Sequence, residues 1–531
     1  MARRARLAVG DDVAPLAGLL AQFEGLGTRP KKAVHEFRPR PRDEFEGKLI
    51  EADFADPITA ARRFGQWRQG IPAGLRSASQ RRALDAMLVA MVEELGRFND
   101  PDAILAALDE IVSRLPTGVQ LFSQLQARPS LRTSLLGLLG RAPALSRHLI
   151  AQPALIERLL DSSAYAPLPA RADLDAEFKL LISGGDRAAG LSRVAEAVNG
   201  HRFGLGLQLL EATADALDIG IAGCKLAEAS LRVMADDVLA RMAENHGLVP
   251  GCELVVLALG RFGGYSLTAT SDLDIVCLFT GDCGAQSDGR KPLDANEYFS
   301  RVAQQISTAM STVTPLGPLY QVDMRLRPWG AKGLLACSTE TFLRYYLENA
   351  WTWEHMALTR ARPVYGSDAA RQQVKSLVGR TLRSPRNRAS LLLDAMKMRG
   401  DIARHKSARG PFDVKLVPGG LVDLEFAVHV NQLTHHIGLH PRLRTAIRSL
   451  VSAGLMPPAL IGAHEVLSRI FIVLRLLSPH PGEPALEQRG AIADACGFED
   501  WDALSLAYDD ARATVRQVWE SAISQSPVRA C

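Results

Sequence analysis

Over most of this 531-residue chain, Leu, Met, Val and Ile recur at three- and four-residue spacings, the period of amphipathic helices. Between about residues 252 and 328 that period gives way to another. CELVVLALG (252–260) and DLDIVCLFT (272–280) are short β-branched runs, joined by the glycine-containing turn RFGGYSLTATS. A helix-like segment follows over about 295–310, and PLYQVDMRLRP (318–328) then alternates as a strand does. Strand, turn, strand, helix and strand in that order predict a small α/β core embedded in helices.

The flanking text is helical. ASQRRALDAMLVAMVEELGRF and LRTSLLGLLGRAPALSRHLI belong to one stretch from about 57 to 162, and a second runs from about 172 to 245. Asn99, Asp100 and Pro101 read as a cap followed by Pro in a first helical turn. Helices resume beyond about 364 and again from about 441. The interruption is FDVKLVPGGLVDLEF (412–426), which reads as a hairpin-like piece. Residues 1–50 read as irregular, and RPKKAVHEFRPRPR (29–42) is a solvated arm or a docking segment for an acidic partner.

Composition bounds the class. Hydrophobic residues make up 47% and charged residues 23%, ample to bury cores, and the length predicts several domains. A net charge of +4 is too weak to argue for nucleic-acid binding without a concentrated patch. Seven scattered cysteines with no C-x-x-C fit a reducing cytosol and no zinc knuckle. With no apolar leader and no run of membrane length, the expectation is a soluble, cytoplasmic protein without membrane contact.

Chemistry concentrates in the second β run. Asp272 and Asp274 stand two apart, so a strand sends both carboxylates to one face while Leu273 enters the core. Crowded carboxylates repel unless a cation lies between them, and hard oxygens suit Mg2+. Asp323, in the third strand, is the candidate third acid, and Arg325 and Arg327 would share its face with guanidinium groups suited to phosphate. Upstream, Gly263 and Gly264 permit close backbone approach to phosphates, and Ser271 adds a hydroxyl beside the acids. A D-x-D alone is more often a solvated strand edge. Glycines, D-x-D and a later strand Asp in this order lay out two-metal nucleotidyl transfer.

Weaker features stay open. Lys415, followed by Gly419, Gly420, Asp423 and Glu425, is a tight turn with surface charges, or a phosphate ligand with supporting acids. Glu354, Arg360 and Arg362 are a charged network beside the site, or a helix surface. Trp351 and Trp353 read as packing anchors. His429, His435, His436 and His440 cluster without the H-E-x-x-H order, and read as a polar helix end rather than a zinc site. There is no P-loop signature.

GRFGGYSLTATSDLDIVCLF, LYQVDMRLRPWGAKG, AWTWEHMALTRARPVYG and FDVKLVPGGLVDLEF, in this order, resemble the glutamine-synthetase adenylyltransferase family, within the DNA polymerase β-like nucleotidyltransferase superfamily. The resemblance implies an α+β, mostly helical chain, with a polymerase β-like nucleotidyltransferase core between helical domains. The expected divisions are an arm (1–50), a helical linker (51–165), the nucleotidyltransferase domain with a helical lead-in (166–370) and a C-terminal helical domain (371–531).

Members usually carry two catalytic halves, one removing AMP by phosphorolysis and one attaching it. This chain has one S-D-L-D and one D-M-R-L-R-P, and TATSDLD and AWTWEHMALTRAR look like the attaching half. The resemblance implies transfer of AMP from ATP with Mg2+ to a tyrosine of glutamine synthetase. Asp272, Asp274 and Asp323 would be catalytic and metal-binding. Gly263, Gly264, Ser271, Arg325, Arg327 and Lys415 would bind nucleotide. A PII-type signalling protein is the further expected partner. Phe262, Tyr265 and Trp329 depart from the family pattern without removing an acid. The rival readings are AMP removal by the same site, and a regulatory docking module without chemistry.

Overall fold

The computed structural model describes residues 44–69, 78–115, 118–184, 186–314, 316–478 and 482–524. The basic stretch at 29–42 lies outside the described residues. Residues 44–50 do not continue an irregular arm: Glu44–Glu51 is a helix. Glu44 and Glu46 favour its N-terminal turn, Lys48 reaches back to Glu44 at 3.7 Å, and Leu49 is buried.

Helices then follow as the spacing predicts. In Pro101–Arg114, Asp100 is the cap, its carboxylate accepting from Ala103 N at 2.9 Å. Pro101 occupies the first turn, where no donor is missed. Two long helices, Arg187–Leu210 and Ala216–His246, lead into the sheet. Among the described residues no helix is long and apolar enough to cross a membrane.

The sheet has five strands: β1 (Glu253–Ala258), β2 (Leu273–Thr280), β3 (Val322–Asp323), β4 (Ala336–Ser338) and β5 (Arg362–Tyr365). β1 and β2 are antiparallel, with Glu253 opposite Thr280 and Ala258 opposite Ile275. β5 pairs antiparallel with the outer edge of β1. The other edge of β2 is shared by two short parallel strands: β3 sets Asp323 opposite Asp274, and β4 sets Cys337 opposite Leu278.

The central strands are buried on both faces, which is why they read as apolar runs rather than as alternation. Leu254, Val256, Ile275 and Phe279 pack with the helices Ala216–His246 and Ala295–Ser311, where Phe279 stacks on Phe299 at 4.8 Å. Val255, Leu257, Val276 and Leu278 face the other way, into a core that runs from Leu49 to Trp519. The sheet is mixed, small and enclosed by helices.

Two expected strands are corrected. The run 318–328 is strand only at Val322–Asp323. The Asp323 carboxylate caps Arg325 N at 2.8 Å and turns the chain. Arg327 is buried and donates to the carbonyls of Met324 (2.8 Å), Gly333 (3.1 Å) and Ala331 (3.3 Å). Asp323, Arg325 and Arg327 therefore do not share a strand face.

The segment 412–426 forms no hairpin. It turns tightly, with Gly419 at φ +76°, and enters the helix Leu421–His435. Leu421 N and Val422 N donate to Val414 O (2.9 Å) and Lys415 O (3.1 Å), which closes the turn on itself.

Candidate active site

The N-terminal end of β2 places the acids. Leu259 N donates to Asp274 O at 2.9 Å, extending the ladder one residue beyond β1. The chain then turns at Gly260, φ +52°, into the single helical turn Gly260–Gly263. A Cβ at Gly260 would lie 2.1 Å from Asp274 Oδ2, so glycine alone lets the carboxylate rest on this backbone. The sequence reading missed Gly260. Its signal was the third glycine in GRFGG.

Gly263 and Gly264 do something else. Their N–H groups are taken by Leu259 O (2.7 Å) and Gly260 O (3.0 Å). A Cβ at Gly263 would meet Arg360 O at 2.2 Å, so this glycine admits close packing of the turn on the chain behind it. Neither N–H is left over for a phosphate. Ser271 Oγ accepts from Thr268 N at 3.0 Å and lies 2.8 Å from Thr268 Oγ1, so it pins the loop ahead of Asp272.

Asp272 is exposed, and Asp274 and Asp323 are half-buried in adjacent register. Burial, then Asp323 and Asp272, push the Asp274 carboxyl up to about 6, with Lys415 and Arg360 opposing. Arg325 acts oppositely on Asp323. Its side-chain hydrogen bonds, at 2.9 and 3.0 Å from Nε, hold that carboxyl below its usual range. Arg325 itself is 81% exposed, so this pair is open to water. Among the described residues no three His, Cys, Asp or Glu side chains stand as a metal-holding group, and Asp323's oxygens are turned to Arg325. The donor set is nevertheless that of a hard divalent cation: three carboxylates at one strand end, one of them pushed up by the other two.

A cation cluster from distant segments lies beside the acids. Glu425, 17% exposed, pairs with Arg360 at 2.7 Å and with Arg261 at 3.7 Å. Against its burial, which pushes it up, these two arginines hold its carboxyl at about 2. Arg261 and Arg475 flank the Phe471 ring at 4.0 and 5.1 Å. Burial, with Arg360 and Arg475, brings Arg261 down to about 10 against the pull of Glu425. Lys415 is pushed below its ordinary value by desolvation and by Arg261, again with Glu425 opposing. Arg360 Nε is buried without a partner. Arg360 and Arg261 thus share one carboxylate, with Lys415 and Arg475 close to them. A cavity of ≈ 660 Å³ opens from Lys415 past Arg475 and Phe471 toward Lys406 and Arg409.

Arg261, Arg475 and Phe471 escaped the sequence reading, because nothing local marks them. Of the residues left open, Arg360, Lys415 and Glu425 join this cluster. Arg362 instead pairs with Glu228 at 2.6 Å and covers the Tyr265 ring at 3.9 Å. Glu354 accepts from Tyr345 Oη at 2.7 Å and Trp351 N at 2.8 Å. Asp423 is buried against Arg399 and accepts from Gly419 N at 2.7 Å.

Trp351 and Trp353 are not packing anchors; they are 71% and 43% exposed. His429 is buried, with Nδ1 2.9 Å from both Thr359 Oγ1 and Gln432 Oε1. His440 Nδ1 accepts from Arg442 N at 3.0 Å.

Residues 132–377 match the family model described as glutamate-ammonia ligase adenylyltransferase. Residues 394–523 match that described as GlnD PII-uridylyltransferase. A bifunctional glutamine synthetase adenylyltransferase/adenylyl-removing enzyme of Xanthobacter autotrophicus is 35% identical over 501 residues, covering 90% of this chain and 50% of its own. Proteins of the same description from Mesorhizobium japonicum and Brucella suis are each 36% identical, over 73% and 71% of this chain and 40% and 38% of theirs. The chain therefore spans half or less of the length of these relatives.

Proposed function

The chain belongs, through residues 132–377, to the glutamate-ammonia ligase adenylyltransferase family, and from that premise we propose that it transfers AMP from ATP to a tyrosine hydroxyl of glutamine synthetase. One observation carries the reading: three carboxylates lie beside four cations, Arg261, Arg360, Lys415 and Arg475, and among the described residues only Glu425 forms an ion pair with any of them. Such a division of charge suits a nucleoside triphosphate lying across it, with phosphates toward Lys415, Arg261, Arg360 and Arg475.

Asp272 and Asp274, joined by Asp323 when Arg325 releases it, would hold Mg2+. When bound, the metal supplies neutralisation of the phosphates and of the departing pyrophosphate. The tyrosine oxygen forms its bond to the α-phosphorus as the α–β bridging bond breaks, and pyrophosphate leaves. The tyrosine proton passes to a carboxylate; Asp323, opposite Asp274 in register, is the candidate either for this role or for the metal. Lys415 and Arg475 orient the leaving group, and Ser271 holds the loop that carries Asp272.

The printed name of the relatives also covers AMP removal. At the same site, phosphate would attack the tyrosine-bound phosphorus and release ADP. The match of residues 394–523 supports a PII-type protein as a second partner, and we place the protein in the cytoplasm with these partners.

The test is incubation with α-labelled ATP, Mg2+ and glutamine synthetase, followed by intact mass. One AMP gained per synthetase subunit is the expected result. ADP released from adenylylated synthetase with phosphate, without any gain, would replace this reading by the reverse one. Gly260→Ala, whose Cβ would displace the Asp274 carboxylate, is expected to slow transfer about a hundredfold. An unchanged rate would mean that this contact does not position the acid.

A further inference from the structure

A second cavity, of ≈ 490 Å³, reaches Asp272 and lies between the helices Pro143–Ala151, Arg187–Leu210 and Ala216–His246. Its floor is made of the segments 267–272 and 316–321, which lead into Asp272 and toward Asp323. They are joined by Leu273 N donating to Gln321 O at 2.9 Å, between Asp272 and Asp274. Leu145, Leu205 and Leu226 are among its apolar wall residues.

His148, Arg202 and Arg147 line this space on the helix side, and Ser271, Asp272 and Tyr320 line it on the floor. His148 Nδ1 is buried with no hydrogen-bond partner. Burial, with Arg202 and Arg147, holds this imidazole down at about 4, so it is neutral at physiological pH. Arg202 lies 4.0 Å over the Tyr320 ring and donates to Asn199 Oδ1 at 3.3 Å and to Leu319 O. Arg147 donates to Pro143 O at 3.3 Å. Among the described residues, neither arginine is paired with a carboxylate.

A buried polar atom without a partner is costly, and two guanidinium groups without a carboxylate partner at the edge of a cavity favour an anion. A volume of several hundred Å³ with a few convergent polar groups is the usual form of a small-molecule site. We infer that the cavity binds a small carboxylate with an apolar body and a hydroxyl, its carboxylate on Arg202 and Arg147 and its hydroxyl on His148 Nδ1. A hydroxyl serves either tautomer of the ring, because it both donates and accepts. A ligand seated there touches both segments that carry the acids, so its binding is felt at the metal-binding end of β2. This site is independent of which transfer reaction the acids perform.

The test is calorimetric titration of the whole chain with 3-phenyllactate, without nucleotide or metal. Saturable binding in the millimolar range or tighter is expected. The neutral amide of the probe should bind about tenfold more weakly, as should Arg202→Met, since each removes a charge-assisted hydrogen bond. Arg147→Met is on the exposed rim and keeps the fold, and it too should weaken binding. Melting curves of both variants check that they fold. Saturating phenyllactate should shift Mn2+ affinity, read by electron paramagnetic resonance, about twofold or more.

Absence of saturable heat would overturn the site, as would equal affinity in the wild type and both arginine variants. Competitive displacement by ATP with metal would make the cavity part of the nucleotide site and overturn it as a separate one. Unchanged Mn2+ affinity would overturn the coupling.

Discussion

Asp274→Asn is expected to cut AMP transfer about a thousandfold or more, because several kcal/mol of transition-state stabilisation go with a metal-holding carboxylate. The same substitution should not destabilise the protein in metal-free buffer. Burial, Asp323 and Asp272 raise the Asp274 carboxyl from 3.8 to about 6. A raised carboxyl stabilises the fold while protonated, and that contribution is lost as pH rises through about 6. At neutral pH its charge is therefore a net cost, and the isosteric amide removes it. A melting temperature equal to or above wild type, with transfer lost by intact-mass assay, is the expected pair of results. Full transfer in the variant would sink the acid assignment. Loss of both transfer and stability would reduce Asp274 to a structural residue.

Glu425→Gln should have the largest effect on stability. Removing one partner of a largely buried ion pair leaves its cations uncompensated and costs about 3–5 kcal/mol. Here Arg360 at 2.7 Å and Arg261 at 3.7 Å lose their counter-charge, with Lys415 and Arg475 close enough to feel it. The carboxyl is depressed from 4.5 to about 2, so its contribution is complete above 4.5 and fades as pH falls toward 2. Thermal melting between pH 7 and pH 3 should show wild type converging on the variant.

A second signature separates a binding role from a merely structural one. Tripolyphosphate should raise the melting temperature of Glu425→Gln more than that of wild type, because the added anion replaces the missing charge. Equal shifts would mean that the cations do not face a phosphate ligand.

The two central strands and the helices around them were legible because each is a local pattern. An apolar run of strand length between glycine-rich turns has few alternatives, and Asp274 takes its face from the two-residue period of β2, while Asp272 stands exposed one residue before that strand rather than within it. The third strand was misread in length. DMRLRP alternates well enough, but the Asp323 carboxylate captures Arg325 and turns the chain, and Arg327 spends its donors on nearby carbonyls. The turn at 412–426 shows the same limit. Its β-branched residues pack as a loop closing onto a helix, since Gly419 at φ +76° breaks the extended path.

By itself the sequence determined the two central strands, most of the helices, the two acids at the start of β2 and, through its long motifs, the family resemblance. Only the tertiary structure decided which charges meet. Arg261, Arg360, Lys415, Glu425 and Arg475 come from segments as far as 214 residues apart in sequence, and they converge because the helices Leu421–His435 and Ala459–Leu477 bury their apolar faces in the shared core. The glycine that seats Asp274 likewise proved to be Gly260, because close approach depends on what lies across the turn. Periodicity along one element fixes where a side chain points. What it points at is set by the packing of elements that the chain brings together only on folding.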